Sequence, residues 1–74
     1  MKNKVLEIIN LIRVSKSLPT LSNLTESSRL REDLEMTSFD MAELTVRIED
    51  QYGIDIFEDG LVNTVGEIYA KLQR

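Results

Sequence analysis

The sequence predicts a small all-α protein, and three observations support that prediction. The chain has 74 residues, which allows one domain, and 42% of them are hydrophobic. It contains only three glycines and one proline. Apolar residues recur with helical spacing in three segments. We therefore predict a single-domain four-helix bundle over residues 1–74, with three main helices, one short helix, and a long loop between the first two helices.

The first helix is predicted over residues 3–15. Its apolar residues follow the i, i+3, i+4, i+7 spacing of an amphipathic helix. They are Val5, Ile8, Ile9 and Ile12. This face is expected to lie in the core.

A long loop is predicted over residues 15–37, which are rich in Ser, Thr and Asn and include Pro19. Leucines recur through this loop, at positions 18, 21, 24, 30 and 34. We expect them to pin the loop across the helical core, as in functional loops of compact domains. Residues 28–32 can form a short helical turn.

The second helix is predicted over residues 38–52. Thr37 and Asp40 form a variant of the capping box before it, and Gly53 is a stop signal after it. The short helix is assigned to residues 57–61.

The last helix is predicted over residues 65–73. Thr64 and Glu67 have the spacing of a capping box at its start. Its apolar face consists of Val65, Ile68, Tyr69 and Leu72.

The second helix has two apolar stripes. At about 100° per residue, the core stripe contains Met41, Leu44, Ile48 and Tyr52. The second stripe contains Phe39, Ala42 and Val46, with Glu43, Glu49 and Asp50 at its edges. Two interpretations are open: an exposed docking surface for a partner protein, or a central helix buried on two sides.

Composition excludes several kinds of function. The chain has no Cys and no His, so it has no thiol nucleophile and lacks the commonest general base and metal ligand. The net charge is −4. It is the sum of +3 from residues 1–32 and −7 from residues 33–74. This argues against nucleic acid and against an anionic membrane as partners. The acidic segment suits either a basic surface on another protein or simple solubility.

The apolar residues after Lys2 and Lys4 are interrupted by Glu7, Asn10 and Arg13. A signal peptide and a membrane-spanning helix are therefore not expected. We predict a soluble, cytoplasmic protein that acts by being bound, carried or modified.

Ser38 is the candidate for modification. It opens the second helix, where unpaired backbone N–H groups and the helix dipole stabilise an attached anion. The position suits a phosphodiester anchor, but taken alone it favours an ordinary capping residue.

The sequence around Ser38 resembles the Asp-Leu-Gly-x-Asp-Ser-Leu-Asp-x-x-Glu-Leu signature of acyl carrier proteins. Residues 33–44 read Asp-Leu-Glu-Met-Thr-Ser-Phe-Asp-Met-Ala-Glu-Leu. Upstream, the resemblance includes residues 24–25 and Leu30, and downstream it includes residues 48–52, 54–56 and 64–67. It covers essentially the whole chain.

The resemblance implies that Ser38 receives phosphopantetheine from coenzyme A through a magnesium-dependent phosphopantetheinyl transferase. The thiol of this arm then holds an acyl or aminoacyl group as a thioester, so the protein is a non-catalytic carrier, expected to be monomeric. Positions matching the family's contacts with basic partner enzymes are Phe39, Asp40, Glu43, Val46, Glu49 and Asp50. Positions expected to shelter the acyl chain are Leu44, Ile48, Ile56 and Ile68.

The chain departs from the signature at several positions. Thr37 replaces an Asp, Phe39 replaces a Leu, Glu35 replaces a Gly, and Arg47 adds a positive charge to the second helix. These departures fit a carrier for a dedicated aminoacyl, polyketide or surface-polymer pathway as well as one for fatty acid synthesis. The alternative from another class is a helical adaptor that is never modified.

Overall fold

The computed structural model describes residues 2–58 and 60–73, and the helices in this part of the chain are three. They are α1 (Lys2–Ser15), α2 (Ser38–Tyr52) and α3 (Val65–Leu72). The described residues form no strand, and their one backbone bridge joins Arg29 to Thr64. The all-α prediction is confirmed.

The predicted caps delimit α2 and α3. The Thr37 hydroxyl accepts a hydrogen bond from the Asp40 N–H, and the Asp40 carboxylate accepts one from the Thr37 N–H. The same reciprocal pair joins Thr64 and Glu67 at the start of α3. Gly53 ends α2 with φ of 70°, a left-handed conformation that glycine adopts at little cost.

The predicted apolar faces of the three helices meet in one core. It includes the four predicted residues of α1, the four of α3, and Met41, Leu44 and Ile48 of α2. Tyr52 is half-buried and packs against this core. Residues from outside the helices complete it, namely Leu30, Leu34, Met36, Ile56 and Val62.

Residues 16–37 connect α1 to α2 and are held to the core by both apolar and polar contacts. Leu30 and Leu34 are buried, and Leu21 and Leu24 are half-buried against the core. Polar side chains of α1 add anchors that the leucine pattern does not predict. The Asn10 side chain exchanges two hydrogen bonds with the Leu21 backbone, at 2.8 and 3.0 Å. Arg13 is buried and donates to the carbonyl oxygens of Pro19 and Leu34.

This connection also touches α3 at Gly66. The Gly66 N–H donates to the Glu26 carbonyl oxygen at 2.8 Å. A Cβ at position 66 would lie 3.0 Å from that oxygen. Glycine therefore permits the close approach of the connection to the first turn of α3.

The fourth, short helix is not among the helices of the described residues. Hydrogen bonds from Glu58 N–H to Asp55 and from Gly60 N–H to Phe57 form turns between α2 and α3. The predicted range 57–61 includes Asp59, which lies outside the described residues. Residues 29–34 also form turns, where a helical turn was expected near 28–32.

Candidate functional site

Ser38 is the first residue of α2, and its side chain is exposed to solvent. Thr37, not Ser38, is the N-cap residue of the helix. The serine hydroxyl is therefore not used for capping. It accepts a hydrogen bond from the guanidinium of Arg31, with 3.0 Å between Nη2 and Oγ. The Ser38 hydroxyl thus lies at the positive end of a helix dipole and beside a cation.

An ion pair between Lys16 and Asp40 fixes the first turn of α2, which contains Ser38. Lys16, directly after α1, donates to the Asp40 carboxylate at 2.5 Å and to the Glu35 carbonyl oxygen at 2.7 Å. The same carboxylate accepts the Thr37 N–H at 2.9 Å. These bonds tie the end of α1 to the first turn of α2 and so position Ser38.

Asp40 is therefore not part of an exposed acidic face. Only 4% of its surface is accessible to solvent, and its carboxylate points toward Lys16 and the Thr37 N–H. The resemblance assigned this residue to partner binding. In the structure Asp40 instead stabilises the start of α2, because its buried carboxylate is bound by Lys16 and by the Thr37 N–H.

Burial raises the pKa of Asp40, but hydrogen bonds from Lys16 and Thr37 and the positive charge of Lys16 outweigh burial and hold the pKa below its ordinary value. A lowered pKa in the folded state means that the carboxylate stabilises the fold above the unfolded-state pKa. This stabilisation is lost as pH falls through the folded-state pKa.

We predict that Asp40→Asn lowers the free energy of unfolding most near neutral pH. The difference from wild type should begin to shrink as the pH falls below the unfolded-state pKa of about 4, and it should disappear as the pH falls through the lower folded-state pKa. Urea unfolding at a series of pH values measures this difference. Asp50→Asn is the control, because it removes the same charge from an exposed position on the same helix. A wild-type-to-Asp40→Asn difference that does not change with pH would contradict the ion-pair interpretation.

A groove of about 420 Å³ is lined by Ser38, by other residues of α2 and by residues of the segment between α2 and α3. Its walls are mostly apolar. The residues lining it are Arg31, Ser38, Met41, Ala42, Thr45, Phe57, Leu61, Val62 and Asn63. A larger groove of about 510 Å³ lies along α1, beside Leu11 and Val14, and does not include Ser38.

The residues predicted to shelter an acyl chain lie elsewhere. Leu44, Ile48, Ile56 and Ile68 are all fully buried in the core, and none of them lines the groove at Ser38. The groove is instead walled by Phe57, Leu61 and Val62, which the periodicity of the helices did not single out.

The second apolar stripe of α2 is exposed, so the interpretation of a helix buried on two sides is wrong. Phe39 is 77% and Val46 64% accessible to solvent, and Ala42 between them is also exposed. Glu49 and Asp50 are exposed at the far end of the helix. Glu43 is half-buried and accepts a hydrogen bond from Arg47 at 2.9 Å.

Residues 2–58 and 60–73 contain no group of three or more carboxylates that is arranged to hold a metal ion. None of the helices combines the length and apolar character required to cross a bilayer.

Comparison with known proteins identifies the family. The family model described as "Phosphopantetheine attachment site" matches residues 5–72. The meromycolate extension acyl carrier proteins of Mycobacterium tuberculosis and Mycobacterium bovis are 34% identical over 55 residues, which is 72% of this chain and 48% of theirs. An acyl carrier protein of Rhodococcus erythropolis has the same identity over 60% of its length.

The chain thus spans about half to three-fifths of the length of these curated relatives. No solved structure gave a significant match. The family model nevertheless covers nearly the whole chain and includes the exposed serine at the start of α2. The chain therefore belongs to the family of phosphopantetheine-binding acyl carrier proteins.

Proposed function

We propose that this protein is a non-catalytic carrier of acyl groups, with phosphopantetheine attached to Ser38. The observation that supports this proposal most directly is the exposed Ser38 hydroxyl at the first position of α2, beside the Arg31 guanidinium. A transferase can reach this hydroxyl because it is exposed to solvent. Modifying it leaves the helix cap intact, since Thr37 provides the cap.

The residues around Ser38 fit this prosthetic group. The helix N-terminus and Arg31 favour the negative charge of a phosphodiester at this position. The apolar groove that Ser38 lines can accommodate part of the arm or of its cargo. The chain has no cysteine, so the thiol for a thioester must come from the arm.

Attachment is a phosphoryl transfer from coenzyme A. The Ser38 Oγ forms a bond to the phosphorus that bears pantetheine, and the P–O bond within the pyrophosphate breaks. Adenosine 3′,5′-bisphosphate leaves, and a base of the magnesium-dependent phosphopantetheinyl transferase takes the hydroxyl proton. The attached arm supplies the thiol on which an acyl group is held as a thioester.

We assign partner binding to the exposed stripe of α2 and the acids beside it. Phe39 and Val46 offer apolar contact, and Glu49 and Asp50 offer charge to a basic enzyme surface. Glu43 belongs to the same surface, but its pairing with Arg47 reduces the negative charge there. Asp40 is left out of this assignment because it is buried.

In this proposal the carrier serves fatty acid synthesis or a related pathway. The names of its relatives, which are acyl carrier proteins, support this assignment. A carrier for a dedicated aminoacyl, polyketide or surface-polymer pathway is a variant of the proposal, which Arg47, Thr37 and Phe39 fit at least as well. We further propose that the carrier is monomeric and cytoplasmic. The proposed shelter for an acyl chain is the core around Leu44, Ile48, Ile56 and Ile68, which must open to admit it because all four residues are fully buried. The short helix expected over residues 57–61 remains part of the proposal and lies in the segment between α2 and α3.

Loading with an acyl derivative of coenzyme A tests the carrier role. A broad-specificity transferase and butyryl-coenzyme A should add the mass of one butyryl-phosphopantetheinyl group to the apo protein. Hydroxylamine should then remove the butyryl mass and leave the arm, because it cleaves thioesters but not the phosphodiester. Failure to gain any mass would favour the unmodified adaptor, and a hydroxylamine-resistant butyryl group would contradict the thioester.

Docking on the α2 stripe is tested by the rate of loading. Phe39→Ala should lower kcat/KM of the transferase about tenfold or more, because an exposed aromatic residue beside the reacting group is a typical interface hot spot. Val46→Ser should have a smaller effect of the same sign. The matched control is Val14→Ser, since Val14 is 59% accessible but lies on α1. Equal kcat/KM for Phe39→Ala and wild type would exclude this stripe from transferase docking.

A further inference from the structure

The side-chain cation that contacts the proposed attachment atom comes from the connection between α1 and α2, not from α2 itself. Arg31 Nη2 lies 3.0 Å from Ser38 Oγ. Arg31 is exposed, and within the described part of the chain it forms no ion pair. Its charge is therefore available to an anion at Ser38.

The backbone around Arg31 is held in place. Leu30, directly before it, is fully buried, and its N–H donates to the Asn63 carbonyl oxygen at 2.8 Å. The Met36 N–H donates to the Leu30 carbonyl oxygen at 3.0 Å, which closes the turn between Arg31 and α2. The backbone at Arg31 is thus already fixed, so only the Arg31 side chain has to become ordered when it binds an anion at Ser38.

Two aspartates close to Arg31 and Ser38 in the sequence are paired with other cations. Asp33 is bound to Arg29, with which it shares three hydrogen bonds. Asp40 is buried against Lys16. Residue 37, where the signature has Asp, is a neutral threonine whose hydroxyl caps α2. The charged side chain in contact with Ser38 Oγ is therefore a cation, although the chain as a whole is negative.

A phosphodiester on Ser38 would place its charged oxygens within reach of this guanidinium. The phosphorus is bonded to Oγ itself, so the two non-bridging oxygens that share its single negative charge are only two bonds from the atom that Arg31 already contacts. A guanidinium presents paired N–H donors whose geometry matches two phosphate oxygens. The helix N-terminus adds to the attraction, because its dipole favours the same charge.

We propose that Arg31 binds the phosphodiester of the modified protein and acts as a positioning residue for the arm. This inference rests on the proposed attachment at Ser38. Both Arg31 and Ser38 line the groove whose walls include Met41 and Val62. A phosphate held by Arg31 directs the arm along this groove and restricts its motion in solvent.

Phosphorus NMR of the loaded protein tests the proposal. We would compare wild type, Arg31→Gln, Arg31→Lys and the control Arg47→Gln, each loaded with unlabelled coenzyme A and confirmed by intact mass. Arg47→Gln removes one positive charge from an exposed position on α2, where Arg47 pairs with Glu43. In Arg31→Gln the ³¹P resonance should shift toward that of a free phosphodiester, and its transverse relaxation should slow. Arg31→Lys should retain part of the wild-type behaviour.

Salt provides an independent readout. Raising the ionic strength should move the wild-type resonance toward that of Arg31→Gln, because an exposed ion pair is screened, and should leave Arg31→Gln nearly unchanged. Identical ³¹P shifts and relaxation in wild type and Arg31→Gln would overturn the proposal while Ser38 loading stands. If wild type gains no phosphopantetheinyl mass, the proposed function fails, and this inference fails with it.

Discussion

Replacing Leu30 with alanine should lower the free energy of unfolding by about 2–5 kcal/mol, the range measured for buried leucines. Leu30 belongs to the connection between α1 and α2, yet its side chain is fully buried. Its truncation leaves a cavity among packed core residues that cannot fully collapse. At roughly 0.05–0.15 kcal/mol per residue, a 74-residue domain has a total stability of only about 4–11 kcal/mol. The expected loss is therefore a large share of the total.

Urea unfolding followed by circular dichroism measures this loss. Leu61→Ala is the matched control, since Leu61 also lies outside the helices but is 82% accessible to solvent. Its effect should stay within about 0.5 kcal/mol, as for most surface substitutions. Equal stabilities of Leu30→Ala and Leu61→Ala would contradict the role of residues 16–37 as a packed part of the core.

Ser38→Ala should abolish modification and leave the fold intact. The substitution removes the only atom to which we assign the phosphodiester bond. Thr37 provides the helix cap, so the loss of the Ser38 hydroxyl should change the free energy of unfolding by less than the typical cost of about 1 kcal/mol for removing a cap. The hydrogen bond from Arg31 that is lost with it lies at the surface.

Ser27→Ala is the control for this substitution. Ser27 is another exposed serine, but it lies in the connection between α1 and α2 and not at a helix N-terminus. Its loading should match that of wild type in rate and extent. Loss of loading in both variants would show that attachment does not depend specifically on Ser38.

The helices and their caps could be predicted from the sequence because their signals are local. Thr37 and Asp40, like Thr64 and Glu67, interact over three residues, and the capping boxes are present in the structure as predicted. The leucines at 30 and 34 indicated correctly that the connection packs on the core, because removing apolar side chains from water stabilises the folded state.

The position of Asp40 could not be predicted in the same way. Its spacing from Thr37 indicated a cap, and its place in the signature suggested an exposed docking acid. Burial depends on Lys16, which is 24 residues away and meets Asp40 only in the folded chain. Periodicity along α2 contains no information about that contact.

The candidate site was predictable in part for the same reason. Ser38 was singled out by its place at a helix start, which is a local feature, but that place alone favoured a capping residue, and the resemblance of residues 33–44 to the carrier signature assigned the attachment. Arg31 and the groove walls at Phe57 and Val62 depend on how the two connections pack around α2. No spacing rule relates these residues, so only the structure brings them together.

The most direct test of the central claim is the intact mass of the purified protein before and after treatment with coenzyme A and a phosphopantetheinyl transferase. Wild type should gain the mass of one phosphopantetheinyl group, and peptide fragmentation should locate that group on Ser38. Ser38→Ala should gain nothing under the same conditions. An unchanged wild-type mass, or a mass gain that persists in Ser38→Ala, would contradict the assignment of Ser38 as the attachment site.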